Sequence, residues 1–369
     1  MSATVSDDER LAALRLIRTE SVGPITFREL VDHFGSAVAA LDALPELSRR
    51  AGRRLRIASA ADVERELEAL AAQGGRLVIR GEEAYPPWLA AIDSAPPVLA
   101  IRGDVAVLAR PMVAIVGSRN ASVSGRRIAA TLARDLGARG LAIASGLARG
   151  IDAAAQEAAL DAGTVAVLAG GLDRIYPPEN QPLAERILAA RGAHLSEMPL
   201  GWEPRARDFP RRNRIVSGLA LGVVVVEAAE RSGTLITARF AGEQGRVVFA
   251  VPGSPLDPRA AGTNRLIKEG ATLVTAADDI VPALEPMLRE PLAAAPRSVA
   301  EPHAPMLDAA ATDRDRVLEA LGPAPVAIDE VIRFTGLSAG VVQLVLIELS
   351  LAGRIERHPG QRVSLQAPA

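Results

Sequence analysis

The chain has 369 residues, 49% of them apolar, and a formal net charge of −2. That is enough for two or three domains with buried cores, and too little positive charge overall to attract a polyanion except through a local patch. With no cysteine and only His33, His194, His303 and His358, far apart in sequence, the chain cannot form a disulfide framework or a thiolate metal site and has no local metal motif.

No apolar run approaches the ~20 residues of a membrane span, and the opening "MSATVSDDER" has neither a basic nor an apolar leader segment, so a cytoplasmic protein without membrane or metal is expected. Almost every basic residue is Arg, Lys268 being the only Lys, a bias attributed to base composition of the genome and given no functional weight.

From about residue 8 to 70, apolar residues recur at helical spacing: Leu11, Leu14, Leu16 and Ile17, then Phe27, Leu30, Val31 and Phe34. The pattern breaks at "SVGPIT", where Gly23-Pro24 makes a turn. A small helical domain over residues 1–75 is expected. Its Gly-Pro turn fits either a helix-hairpin-helix touching a phosphate backbone or a plain helix connection. The lack of a basic residue before Arg28 favours the plain one.

Over residues 76–284 short apolar runs alternate with helical stretches: "RLVIR", "VLAIR", "MVAIVG", "LAIAS", "TVAVLAG", "GVVVVEA", "RVVFAVPG" and "ATLVT". Runs without polar alternation fit strands buried on both faces, so the expected fold is α/β, a Rossmann-like, doubly wound, mostly parallel sheet. Residues 285–311 are rich in Pro and Ala and read as a linker. Residues 312–369 read as helix, helix, a turn at Gly336-Leu337-Ser338, a third helix over Ala339 to Leu351 and a β-hairpin, the order of a winged helix. That third helix carries no Arg or Lys, unlike a helix that reads the major groove, so a protein contact is expected of it.

Four loops follow strand-like runs, and in an open α/β sheet the carboxyl ends of strands form the ligand crevice. "GSRNASVSG" begins like a dinucleotide-binding turn but has Arg119 where the second glycine belongs and Ser122 at the third. "SGLARGIDAAAQ" puts Ser145 and Gly146 at a strand end and Asp152 in the first turn of a helix. "AGGLDRIYPPEN" offers Gly170 and Gly171 for close backbone approach, with the Tyr176 ring after them. In "EAAERSGTLITA", Ser232, Gly233 and Thr234 open a helix whose free N–H groups suit an anion. Ahead of the last loop, "GWEPRARDFPRRNRIVSG" interleaves Arg205, Arg207, Arg211, Arg212 and Arg214 with Trp202 and Phe209, as single-strand binders place cations on phosphates and rings under bases.

No catalytic constellation is apparent: there is no P-loop, no nucleophile elbow and no His beside a candidate nucleophile. Asp152 and Glu227 read as caps or as partners for the arginines.

"IVGSRNAS", "SGLARGIDAAAQ", "LAGGLDRIYPPEN", "LSEMPLG", "FPRRNRIVSGLA", "VVEAAERSGTLITA" and "VFAVPGSP" resemble, in order and spacing, the DNA processing protein A (DprA/Smf) family over about residues 80–280. The flanking SAM- or helix-hairpin-helix-like domain and winged helix resemble the family more loosely. The resemblance implies a non-enzymatic protein, needing no cofactor, that binds single-stranded DNA, protects incoming strands in natural transformation and loads the RecA recombinase.

It implies strand contacts at Gly117, Ser118 and Arg119, at Arg212, Asn213 and Arg214, and at Ser232, Gly233 and Thr234. Ser145, Gly146, Arg149, Gly170, Gly171, Phe209 and Arg211 join them as candidates from the loop pattern. It also implies a homodimer, for which "TNRLIKEGATLVT", with Leu266, Ile267 and Leu273, is the candidate segment. Family members commonly have His where this chain has Gln156 and a basic residue where it has Pro178, so neither position receives a binding role. Two alternatives stand beside this reading. One is a phosphoribohydrolase-like nucleotide enzyme, whose P-G-G-x-G-T-x-x-E is missing; the other is a duplex-DNA regulator acting through the winged helix.

Overall fold

The structure, a computed structural model, describes residues 5–289, 310–358 and 360–366; of the expected linker over 285–311, residues 290–309 therefore lie outside the described residues. The described residues form two compact units, one made of the N-terminal segment to Arg65 together with the C-terminal segment, the other running from Glu66 onward.

The first unit begins with α1 (Asp7–Arg18), α2 (Pro24–Phe34) and α3 (Ala37–Arg50), and α4 (Ala60–Ala72) leads out of it. Ser6 caps α1 by accepting from the Glu9 amide at 3.2 Å, and the Glu9 carboxylate accepts from the Ala37 amide at 2.6 Å, so one acidic side chain ties the start of α3 to α1. Pro24 at the first position of α2 and Gly35 in the left-handed region after it fix that helix's two ends.

The second unit is built on one nine-stranded sheet: β1 (Gly75–Ile79), β2 (Val98–Gly103), β3 (Met112–Val116), β4 (Ala142–Ser145), β5 (Thr164–Val167), β6 (Ala193–Ser196), β7 (Gly222–Val225), β8 (Val247–Ala250) and β9 (Thr272–Leu273). Their order is β1-β2-β6-β5-β4-β3-β7-β8-β9, and from β6 to β9 all pairs are parallel. The runs "RLVIR" and "VLAIR" differ from the buried parallel strands they resemble, because β1 and β2 pair antiparallel at the sheet edge. Their connection carries only the four-residue α5 (Pro87–Ala90), and a parallel pair needs a full crossover helix. β6, "AHLS", carried no strand signal in the sequence: His and Ser interrupt the apolar pattern, yet all four residues are buried between β2 and β5.

Side chains alternate between two cores, with Met112, Ala114 and Val116 of β3 on one face and Val113 and Ile115 on the other. The first face packs Ile215, Val216, Leu219, Ala238 and Ala241, which come from helices over Asp208–Leu219 and Thr234–Glu243. The second packs Leu132, Leu136, Ile151 and Ala155 from helices over Val123–Ala138 and Ile151–Ala158. In chain order the helices of this unit are α6 (Val123–Ala138), α7 (Ile151–Ala158), α8 (Gln181–Ala189), α9 (Asp208–Leu219), α10 (Thr234–Glu243), α11 (Ala261–Lys268) and α12 (Val281–Arg289). The strand order reverses at β3, with β4 on one side and β7 on the other, so the crevice of a doubly wound sheet opens above the carboxyl ends of these three.

The chain ends in the first unit with α13 (Ala311–Glu319), β10 (Val326–Ala327), α14 (Ile328–Thr335), α15 (Ala339–Leu351), β11 (Ile355–His358) and β12 (Arg362–Leu365), the winged-helix order, with the three strands antiparallel as β10-β12-β11. The apolar character of α15 has a direct cause. It packs against α13 and β11 and against α2 and α3 of the N-terminal segment, which buries Val342, Leu344, Val345, Leu346, Ile347, Leu349 and Leu351. A helix apolar all round belongs in a core, and the apolar faces of this one are covered by its own chain.

Its single acid, Glu348, is 2% exposed and bound to Arg314 through both oxygens, at 2.5 and 3.0 Å. A second enclosed pair, Arg357 of β11 with Glu29 of α2 at 2.7 Å, ties wing to N-terminal helix. Among the described residues no single helix is long and apolar enough to cross a membrane.

Removing one member of such an enclosed pair leaves the other desolvated and uncompensated, which costs about 3–5 kcal/mol. Glu29→Ala should therefore lower hydrogen-exchange protection across both α2 and α15. Loss confined to α2, or none, would contradict the joint packing of the two segments.

Candidate nucleic-acid interface

The crevice is shaped by where the chain puts its own carboxylates. β3 runs out at Gly117, and Ser122 caps α6 by accepting from the Gly125 amide at 2.8 Å. Glu227, just after β7, accepts from the Ser122 amide at 3.0 Å and from its hydroxyl at 2.5 Å, so its carboxylate lies against the N-terminus of α6. A Cβ on Gly125 would come within 2.5 Å of that carboxyl carbon, which explains the glycine.

Ahead of the next helix a second carboxylate holds the loop. Asp152 accepts from the amides of Gly146 at 3.1 Å and Ala148 at 3.4 Å and fills the turn ahead of α7. Asp152 is fully enclosed; burial raises its carboxyl above the usual range, while Arg212 and the two loop amides pull it back down. In a dinucleotide fold these helix starts face the cofactor diphosphate. Here Glu227 lies against the start of α6, and Asp152 is turned back onto the loop ahead of α7, whose first amide, of Ile151, donates to the Ser118 carbonyl at 3.2 Å.

The candidate arginines divide sharply by burial. Arg212 is 5% exposed and donates from Nη1 to the carbonyls of Gly146 and Val167, tying the ends of β4 and β5 to α9. Burial pushes its guanidinium down to about 10, against the opposing pull of Asp152. Arg214 is also buried and pairs with the buried Glu197, whose other oxygen holds the more exposed Arg211 at 3.0 Å.

Arg119 and Arg149, by contrast, are exposed. Arg149 reaches only Glu179, also exposed, in an ion pair that solvent screens. Arg119 has no ion pair among the described residues, and its guanidinium lies 5.0 Å from the centre of the Phe209 ring. Tyr176 sits 5.4 Å from the same ring. These side chains, with Ala148, Pro177, Gly146 and Arg212, line a pocket with ≈ 30 Å³ of free space, room for about two waters and not for a nucleobase. For a base to stack on Phe209, Arg119 must swing off the ring, which frees it for a phosphate.

Of the remaining sequence candidates, Thr234 donates its hydroxyl to the Gly117 carbonyl at 3.0 Å and Ser232 accepts from the Thr234 amide at 3.2 Å, which joins the start of α10 to the β3 loop. Gly233 is exposed with open space where a Cβ would stand, and half-buried Asn213 lies close by, 3.5 Å from its carbonyl. Ser118 is half-buried and its carbonyl accepts from the Ile151 amide at 3.2 Å.

Besides Arg212, several candidates turn inward. Ser145 is fully buried and donates to the Ile115 carbonyl at 2.7 Å. Gly170 and Gly171 are buried, and a Cβ on them would strike the chain's own carbonyls of Trp202 and Pro199 at 2.7 and 2.5 Å. Their small size thus serves internal packing, and Arg214 belongs with them because Glu197 holds it.

Gln156 was not a sequence candidate for this region. It is buried, accepts from the Leu147 amide and donates to the Val165 carbonyl, both at 3.1 Å, and so supports Leu147 in the left-handed region at φ 55°. Asn180 holds the same residue by donating to its carbonyl at 2.8 Å. Leu266 and Ile267 are half-buried on α11, and Leu273 is 47% exposed on β9, the outer edge of the sheet. Among the described residues no cluster of His, Asp and Glu is placed to hold a metal ion.

Comparison with known proteins agrees with this architecture. Residues 76–285 match the family described as DNA recombination-mediator protein A, residues 7–69 the DprA-like N-terminal HHH domain, and residues 300–361 the DprA winged helix domain. Protein Smf of Escherichia coli (strain K12) is 42% identical over 292 residues, covering 79% of this chain and 77% of that protein. The X-ray structure of DNA processing protein A from Streptococcus pneumoniae superposes with a TM-score of 0.58 at 33% identity, over 76% of this chain and 94% of that one. A structure of DNA processing protein A from Helicobacter pylori, described for its single-stranded DNA binding mode, gives a TM-score of 0.52 at 30% identity, over 58% of this chain and 96% of that one.

The two kinds of arginine should respond differently to substitution. Arg212→Ala strands two buried carbonyls that accepted from a charged donor, and should lower stability by at least ~3 kcal/mol in urea unfolding. Arg119→Ala removes an exposed side chain and should change it by less than ~0.5 kcal/mol. Equal stability of the two variants would refute the placement of Arg212.

Proposed function

The chain belongs to the DNA recombination-mediator protein A family, and from that premise we propose that its crevice binds single-stranded DNA, protects incoming strands and supports loading of the RecA recombinase in natural transformation and homologous recombination. One observation carries the DNA reading. At the switch point of the sheet, Arg119 and Arg149 stand exposed around the Phe209 and Tyr176 rings, while Glu227 lies against the start of α6 and Asp152 binds the loop amides ahead of α7, where a nucleotide diphosphate would approach. Cations beside rings, without a closed anion cradle, suit an extended sugar-phosphate backbone with its bases stacked.

The same geometry bears on the enzyme alternative. Asp152, Asp173 and Glu227, the carboxylates best placed at the strand ends, each accept from backbone amides of neighbouring loops, which supports a role without catalysis or cofactor. The duplex-regulator alternative loses its reading element because α15 is buried. The RecA step rests on family membership alone. A homodimer is part of the proposal, formed along the open β9 edge with Leu273 and the neighbouring Leu266 and Ile267. So are a cytoplasmic location and a division into a helical domain over 1–75, a strand-binding domain over 76–284, a linker over 285–311 and a winged helix over 312–369.

Phosphates carry no base identity, so Arg119→Ala should weaken binding to every single-stranded sequence by about the same factor. The slope of log K against log salt should fall in magnitude by about 0.7, the loss of one neutralised phosphate. Arg119→Lys should keep most of the slope with a modest loss of affinity, since the charge remains and the planar fork does not. Unchanged affinity and slope in Arg119→Ala would refute the contact.

A further inference from the structure

We propose that the strand does not end at the Phe209 pocket but crosses Arg119 and Arg149 into a second groove between α6 and α7, where Arg126 meets a further phosphate; this rests on the strand-binding reading above. The groove measures ≈ 630 Å³, many times the free space of the Phe209 pocket, and Arg119 and Arg149 line both. The two spaces therefore adjoin at Arg119 and Arg149.

The floor is cut for a backbone. Gly150, Ala153 and Ala154 line it, and none carries more than a methyl group. The glycine is required, because it sits at φ 79° and a Cβ there would come within 2.3 Å of the Ser118 carbonyl. The loop after β3 therefore lies directly on the start of α7, and its Arg119 and Asn120 line the passage.

Charge points the same way. Arg126, in the first turns of α6, is exposed and makes no ion pair among the described residues, so its guanidinium is available to a ligand. The wall's one acid, Glu157, is already bound to Arg186 at 2.6 Å. Asn120 and Asn180 complete the polar lining. Of the lining charges, Arg149 and Glu157 are each paired, with Glu179 and Arg186, which leaves Arg119 and Arg126 without an ion pair among the described residues, a positive balance on a chain whose overall charge is negative that fits a polyanion. Continuity with the Phe209 pocket selects a nucleic-acid strand over an acidic peptide.

The test compares fluorescein-labelled oligothymidylates of about 4 and about 20 nucleotides, spanning the lengths over which single-strand sites range, on full-length wild type, Arg126→Ala, Arg127→Ala and Arg119→Ala. Arg127 is exposed on the same helix but does not line the groove. Arg126→Ala should weaken the longer oligomer about fivefold and reduce its salt slope by about 0.7, while the shorter one changes by less than about twofold. Arg127→Ala should leave both within about twofold. The second groove is refuted if Arg126→Ala behaves like Arg127→Ala, or if it weakens both lengths alike. Arg119→Ala separates the two levels of the account. Its weakening of both lengths beside a silent Arg126→Ala overturns the groove alone, whereas a silent Arg119→Ala overturns the strand-binding reading itself.

Discussion

Two carboxylates determine what the central crevice can hold. A doubly wound sheet delivers helix N-termini to its switch point, and their unpaired amides and dipoles ordinarily attract a phosphate. Here Glu227 satisfies the start of α6 and Asp152 the turn before α7. Under the proposed function, anion recognition passes from backbone amides, which grip one phosphate in fixed geometry, to long cationic side chains at the rim. Such side chains follow a flexible polymer whose phosphates recur along its length.

Much of the remaining construction keeps those carboxylates and the loops around them in place. Arg212 answers the negative charge of Asp152 and binds the carbonyls of Gly146 and Val167, so the strand ends on one side of the crevice are held by a single buried cation. Gly146 must be glycine because a Cβ would come within 2.3 Å of that guanidinium. Gln156 and Asn180 stabilise Leu147 in its unusual conformation between them.

Most of the sheet was legible in the sequence, since a strand buried on both faces writes an unbroken Val/Ile/Ala run, as in β3 and β7. β6 was not, because His194 and Ser196 break that run although both are buried. The candidate loops around the crevice were legible from small residues after strands. Which residues face it was not. "RRNR" presents three arginines of identical chemistry, and only their phase on α9 sends Arg211 toward solvent, Arg212 under the Gly146 loop and Arg214 onto Glu197. Similarly, Gly170 and Gly171 look the same in sequence whether a ligand or the chain's own backbone crowds them. The apolar run of α15 was legible, but not that α2 and α3, some three hundred residues earlier, cover it.

The measurement closest to the central claim is an anisotropy titration of a single-stranded oligonucleotide in the presence of chelator, competed separately with duplex of the same length, a mononucleotide and a nicotinamide dinucleotide. The oligonucleotide should bind without metal and in a salt-dependent way, single strands should compete better than duplex, and neither small nucleotide should displace it at millimolar concentration. Saturable displacement by the mononucleotide or dinucleotide at micromolar concentration would show that the helix starts accept a phosphate despite Glu227 and Asp152, and would contradict the account.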